Sequence, residues 1–118
     1  MDLYGELILE HYKHPLNKGV LKKPTYSRRE ANPVCGDVVT IQLLVEKNVV
    51  KDVKFEGEGC ALSIASASIL TDFIKGKTVK EIKSLTDEAL VEMLGISVGA
   101  VRIKCVLLPL KAIKNALG

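Results

Sequence analysis

Tryptophan is absent from this sequence, and all aromatics together make up only 4% of it. The stacking platforms that hold single-stranded nucleic acids therefore have little to be built from. Long apolar runs are missing as well. The longest uncharged stretch, residues 59–71, is rich in Ser and Ala and falls short of the roughly 18 apolar residues of a membrane span. With 9 Gly and 4 Pro there is no collagen-like or Pro/Ser-rich tract. A net charge of only +3 beside 47% apolar residues excludes a disordered chain. Basic and acidic residues alternate through most of the sequence, which is a solvated surface and not a nucleic-acid or membrane face. Cysteine is scarce and odd in number, three in all, so no disulfide framework is implied. The opening Met-Asp-Leu-Tyr-Gly-Glu carries acids where a secretory or transit signal needs bases, so the expected location is cytoplasmic.

What remains is enough for one folded domain. A length of 118 residues fits a single unit, 1–118, and such a unit hides about two thirds of its unfolded surface. Tyr4, Leu7, Ile8, His11 and Tyr12 fall on one face of a 3.6-residue period, which predicts a helix over 2–14 that Pro15 ends. Asn17 and Gly19 then make a turn. A short edge strand is expected over 26–30. Val39, Ile41, Leu43 and Val45 give residues 38–46 a wholly apolar face. Lys47-Asn48 is a two-residue turn, and 49–56 return with Val53 and Phe55 inward. Gly57-Glu58-Gly59 breaks that strand. A helix over 61–75 follows, with Leu62, Ala65, Ile69 and Phe73 as its apolar stripe. Thr78 and Glu81 form a capping box for a short helix to Lys83. Thr86, Asp87 and Glu88 start another, and Gly95 ends it. A last helix over 100–117 carries Leu107, Leu110, Ile113 and Leu117 on one face. Pro109 conflicts with it: either the helix kinks there, or it starts late with Pro109 in its first turn. The expected fold is α+β, a small antiparallel three-stranded sheet packed against helices.

The chemistry lies in three thiols and a carboxylate. Cys35 sits in the loop Asn32-Pro33-Val34-Cys35-Gly36-Asp37, two residues before Asp37. Cys60 lies between a glycine-rich break and a helix start, where dipole and unpaired N–H groups favour a reactive or ligating sulfur. Cys105 has Arg102 and Lys104 beside it and Pro109 four residues on. A lone Cys is commonly a core hydrophobe, but Cys35 precedes the first long strand and Cys60 follows the second. The hairpin brings both to one end of the sheet. Three thiolates and a carboxylate make four ligands, which suits tetrahedral Zn²⁺; a [2Fe–2S] cluster also takes four, usually all Cys. The spacing is not a Cys-x-x-Cys signal.

These residues resemble the IscU/SufU family, which is also the N-terminal domain of NifU. His11-Tyr12-x-x-Pro15-x-Asn17-x-Gly19 is similar to the family's opening helix and turn. Asn32 to Asp37, Phe55-Glu56-Gly57-Glu58-Gly59-Cys60 with Ser63, Ala65, Ser66 and Ala67, and Arg102-Ile103-Lys104-Cys105 are similar to its three ligand regions. The resemblance covers nearly the whole chain. It implies a scaffold that takes iron, accepts sulfur from a cysteine desulfurase, assembles a transient [2Fe–2S] cluster and passes it to recipient apoproteins. It implies Cys35, Asp37, Cys60 and Cys105 as ligands, with Cys105 as the candidate persulfide acceptor. Asp37 is a harder, weaker ligand for such a cluster than a fourth thiolate and would keep it labile.

Two departures shape the alternative. IscU has His immediately before its third cysteine; this chain has Lys104, as SufU-type members do, and Lys is a poor ligand at neutral pH. SufU-type proteins carry an extra segment that residues 76–101 are too short to hold. The resemblance thus also implies a second activity, a zinc-dependent sulfurtransferase with Zn²⁺ on the same four residues. A purely structural zinc module, with no reactive thiol, is the third reading. The Leu-Pro-Pro-Val-Lys stretch read by the dedicated Hsp70-type chaperone is replaced by Val98-Gly99-Ala100-Val101-Arg102, so that partner is not implied. His11 and His14 are read as packing or surface rather than metal ligands. Tyr4 matches a family Tyr linked to self-association, so a homo-oligomer is one expectation and helix packing the other. Ser63, Ser66 and Ser68 have no base partner and are read as small residues that let a helix approach closely. Lys22, Lys23, Lys75 and Lys77 are read as solvated surface or as steering for an acidic partner.

Overall fold

The second strand organises the molecule. In the computed structural model, which describes residues 3–33, 36–95 and 103–118, β2 (Asp37–Glu46) is central in a three-stranded antiparallel sheet of order β1-β2-β3. Its period of two buries Val39, Ile41 and Leu43 on one face. Asp37 has the same parity and is buried on that face too. The turn to β3 (Val49–Glu58) is the expected Lys47-Asn48, with φ of 51° and 63°, the left-handed pair that matches strand twist. An irregularity between Leu44 and Val45 shifts the register, so Val50, Val53 and Phe55 all point inward.

Two strands run further than expected. β1 covers Tyr26–Asn32 and pairs Asn32 with Asp37. β3 continues through Gly57 and Glu58 instead of breaking there. Gly57 pairs with Val39, and a Cβ on it would lie 2.4 Å from the Val38 carbonyl oxygen. The glycine is there for close approach of two backbones, not for a turn.

The helices are α1 (Leu3–Lys13), α2 (Ala61–Ile74), α3 (Val79–Lys83), α4 (Asp87–Leu94) and α5 (Ile103–Leu117). The expected stripe on α2 holds in part: Ala65 is buried and Leu62 and Ile69 pack partly buried on the core, but it does not extend to Phe73. Phe73 is exposed, with the Lys77 ammonium 4.9 Å from its ring centroid, whereas Ser63 to Ser68 are buried without a break. The reason is position: α2 packs against α1, α4, α5 and β3 at once. Small side chains on several faces let those neighbours close in. On α1 the expected face also splits. Ile8 is buried, but Leu7 and Tyr12 are exposed, because α1 meets the rest mainly along α2. The side chain of Tyr4 lies outside the described residues.

The short helices carry the expected caps. Thr78 and Glu81 form a reciprocal capping box, the Thr86 hydroxyl accepts from the Ala89 N–H, and Gly95 closes α4 at φ 68°. α5 is continuous across Pro109, in its middle, which excludes the late start. Leu110, Ile113 and Leu117 are buried as expected, and Leu107 only partly. Among the described residues no helix is long and apolar enough to cross a membrane.

α5 is tied to the edge of the sheet by one carboxylate. Glu30 accepts from Asn115 Nδ2 at 2.8 Å and from Arg28 Nε at 2.9 Å. The Asn115 amide, then Arg28, hold the Glu30 carboxyl below its ordinary value of 4.5. A lowered folded pKa means stability that is present above the unfolded value and lost as pH falls through the folded one. Asn115→Ala should therefore cost under about 1 kcal/mol at neutral pH for this surface contact. The difference from wild type should shrink as the pH is taken below 4.5. Urea melts at pH 7 and pH 3 test this, and a difference that grows in acid would contradict it.

Candidate metal centre

Three elements deliver one side chain each to the same place. Asp37 is the first residue of β2 and, by strand parity, faces the core. Just before it, the Gly36 N–H donates to the Asn32 carbonyl at 2.8 Å, with Gly36 at φ +73°. Cys60 is the N-cap of α2, extended at φ −74° and ψ 169°, so its side chain leaves the helix axis at the helix mouth. Cys105 lies in the first turn of α5. The next residue fixes that turn: Val106 gives its carbonyl to the buried Ser66 hydroxyl of α2 at 2.6 Å.

The carboxylate oxygen and the two sulfurs all lie within 4.8 Å of one another. The first link among them is a hydrogen bond from the Cys60 N–H to Asp37 Oδ1, 3.2 Å long. Gly59 makes room for it. A Cβ there would stand 2.7 Å from Oδ1 and 3.2 Å from Ser63 Cβ. The other carboxylate oxygen, Oδ2, is buried and, among the described residues, has no hydrogen-bond partner. A buried carboxylate oxygen left without a donor is costly. Beside two sulfurs, that pattern fits a cation better than it fits a closed polar network. A carboxylate and two thiols supply three ligands of the kind Zn²⁺ or iron takes.

Burial sets the three apart. Asp37 and Cys105 are each only 2% exposed, whereas Cys60 is open to solvent. Lys104 beside Cys105 is exposed.

Of the expected site, Asp37, Cys60 and Cys105 are brought together. Cys35 and Arg102 lie outside the described residues, as does the stretch from Val98 to Arg102. Neither histidine joins the group. The His11 Nδ1 instead shares a 2.7 Å hydrogen bond with the Ser68 hydroxyl, which also accepts from the Leu16 N–H at 2.7 Å. The serines are small spacers, as expected, but Ser66 and Ser68 are also the polar pins that hold α5 and the N-terminal turn to α2. The expectation that none of these serines has a base partner fails at Ser68, which meets the His11 imidazole; a contact across 57 residues of sequence is not visible in the local pattern. The role of Gly59 was missed as well, since the sequence offered it only as a strand breaker.

Residues 3–118 match the NifU-like N-terminal domain family. The chain belongs to that family. It is 38% identical over 130 residues to the zinc-dependent sulfurtransferase SufU of Bacillus subtilis strain 168, covering 96% of this chain and 88% of that protein. It is also 38% identical over 93 residues to the iron–sulfur cluster assembly scaffold protein IscU 1 of Archaeoglobus fulgidus. That match covers 79% of this chain but only 61% of the longer relative. Among solved structures, a SufU protein from Fervidobacterium islandicum AW-1 superposes with a TM-score of 0.82 at 29% identity, covering 96% of this chain and 95% of that one. The three-stranded sheet with its helices is thus the family's fold, and the resemblance read from the sequence motifs holds.

The cradle under Asp37 can be tested directly. Gly59→Ala should leave the fold intact and weaken Zn²⁺ or Co²⁺ binding by about tenfold or more, the usual cost of disturbing the shell around a ligand. Circular dichroism and a Co²⁺ absorption titration give the two readouts. Unchanged metal affinity would remove Gly59 from any role at the site.

Proposed function

We propose that this chain is an iron–sulfur cluster assembly scaffold that accepts sulfur from a cysteine desulfurase and passes a transient [2Fe–2S] cluster to recipient apoproteins. The observation that carries the reading is the buried Oδ2 of Asp37, without a partner among the described residues, beside the sulfurs of Cys60 and Cys105. Cys35, two residues before Asp37, is the fourth ligand in this reading. The cluster is cargo. Three thiolates favour its soft metal centre, and the harder carboxylate weakens one corner so that the cargo can leave.

The difference in exposure supports a direction for sulfur uptake. Cys60 is exposed and Cys105 is buried, so of these two an incoming donor persulfide would meet Cys60 first. The Cys60 thiolate attacks the outer sulfur of the donor; the donor S–S bond breaks, and the donor leaves as a thiolate. The new persulfide on Cys60 can pass its outer sulfur to Cys105 by the same exchange, which keeps Cys105 as an acceptor at the second step. Neither exchange changes the electron count. Conversion of that sulfur to sulfide takes two electrons from an external reductant. In this reading Asp37 keeps Cys60 in place through its N–H, and Ser66 keeps Cys105 in place through Val106.

Similarity to the Bacillus sulfurtransferase, together with Lys104 where IscU has His, favours a second reading. There Zn²⁺ occupies the same four residues, and one cysteine leaves it to accept sulfur.

Anaerobic reconstitution of zinc-free protein with iron, thiol and a cysteine desulfurase, with Zn²⁺ titrated in competition, separates the two. About two irons and two sulfides per site with a visible chromophore are expected. Tight zinc with no cluster and zinc-dependent stimulation of the desulfurase would establish the sulfurtransferase instead. Asp37→Ala should hold an assembled cluster severalfold longer and transfer it more slowly; faster loss of the chromophore would contradict the role given to the carboxylate. Mass spectrometry after single turnover should find no persulfide on Cys60→Ser protein and a persulfide trapped on Cys60 in Cys105→Ser protein. A persulfide on Cys105 in the Cys60→Ser variant would reverse the order.

A further inference from the structure

One face of α5 is not used by the metal centre. Lys104, Leu107 and Lys111 lie at i, i+3 and i+7 and share a stripe. With Ala31 and Pro33 from the end of β1 and Asp87 from α4 they line a groove of about 570 Å³. Lys104 and Lys111 are exposed, and among the described residues neither is in an ion pair. Lys114 also reaches the groove, but its ammonium donates to the Leu85 carbonyl. Asp87 is the one acid among the lining residues, and Glu30, bonded to Asn115 at the groove's edge, feels the Lys111 charge as well; Lys104, Lys111 and Lys114 still outnumber these two acids over an apolar floor.

The strand beside it is open. β1 is an edge strand that pairs with β2 alone. Among the described residues no backbone hydrogen bond reaches the outer side of residues 27–31. An unpaired edge next to a groove is the setting in which an extended peptide adds a strand, with its main chain on the edge and alternate side chains in the groove.

We infer that the groove between β1 and α5 is a docking site for an extended acidic segment of a partner protein. Two carboxylates meet Lys104 and Lys111, and an apolar side chain between them covers Leu107. The spacing is consistent. Seven residues of helix advance about 10 Å, and same-side positions i, i+2 and i+4 of a strand span about 13 Å, a difference two flexible lysines absorb. A small anion would use the lysines and leave both the apolar floor and the strand edge idle. The site is independent of what the metal centre carries, although Lys104 sets its inner end against Cys105.

The test uses the full chain and a fluorescent, end-blocked peptide centred on Glu-Ala-Leu-Ala-Glu. Binding by anisotropy should weaken as salt is raised, and should fall at least fivefold in Lys111→Glu and in Lys104→Gln. Lys80→Glu, on α3, should bind as wild type does. Amide exchange at residues 27–31 should slow when the peptide is bound. No binding at millimolar peptide overturns the inference, as does equal binding of the Gln-Ala-Leu-Ala-Gln peptide. Binding without protection of β1, full displacement by equimolar citrate, or a preference for phosphatidylserine vesicles over the peptide each does the same.

Discussion

A single hydrogen bond joins the start of β2 to the start of α2, from the Cys60 N–H to Asp37 Oδ1. The rest of the candidate centre depends on it. Strand parity sends the Asp37 side chain into the core, where a carboxylate has few ways to be satisfied. One oxygen takes a free N–H from the first turn of a helix, where such donors are in surplus. The other meets no donor among the described residues. This arrangement needs a residue without a side chain at position 59, because a Cβ there would occupy the space of the carboxylate. Asp37, Gly59 and Cys60 are therefore one unit, although 21 residues separate Asp37 from Gly59.

The unit is held in register by α2, and α2 is held by small polar side chains. Ser66 pins α5 through the Val106 carbonyl. Ser68 pins the end of α1 through His11 and Leu16. Thr71 accepts from Asn17 Nδ2 at 3.2 Å, and the Asn17 carbonyl accepts from the Phe55 N–H on β3. The N-terminal motif His11-Tyr12-x-x-Pro15-x-Asn17-x-Gly19 is thus a clasp between α2 and β3, the two elements that flank Cys60. It sits far along the helix from the sulfurs and acts on them only by fixing that geometry.

Local chemistry explains which features could be read from the sequence. The hairpin followed from alternation and from Lys47-Asn48, and the caps of α3 and α4 from Thr78, Glu81, Thr86 and Gly95. Each is decided within a few residues. The convergence of Asp37, Cys60 and Cys105 was legible because the hairpin returns the chain to its starting end, and because the motifs resemble a known family. The buried faces of α1 and α2 were not legible. A helix surrounded on several sides has no single apolar stripe, so periodicity found Ala65 and the partly buried Leu62 and Ile69 but pointed wrongly to Phe73 and missed the buried Ser63, Ser66 and Ser68. Gly57 shows the same limit. Its neighbours in sequence suggest a turn, and only the Val38 backbone across the sheet explains it.

The way these parts are coupled also bears on release. If Cys60 swings outward to hand over cargo or to take up a persulfide, its N–H moves with the helix mouth. Asp37 then loses the donor on Oδ1 while Oδ2 has none among the described residues. The carboxylate becomes a poorer anchor at the moment its neighbouring thiolate departs, so in the proposed four-ligand reading two ligands loosen together. Cys105, buried and next to the Val106 carbonyl that Ser66 holds, would be the ligand that stays in that reading. A site built with one rigid sulfur and one movable sulfur linked to a carboxylate can open on one side without unfolding. That is the mechanical requirement of a centre that is filled and emptied repeatedly.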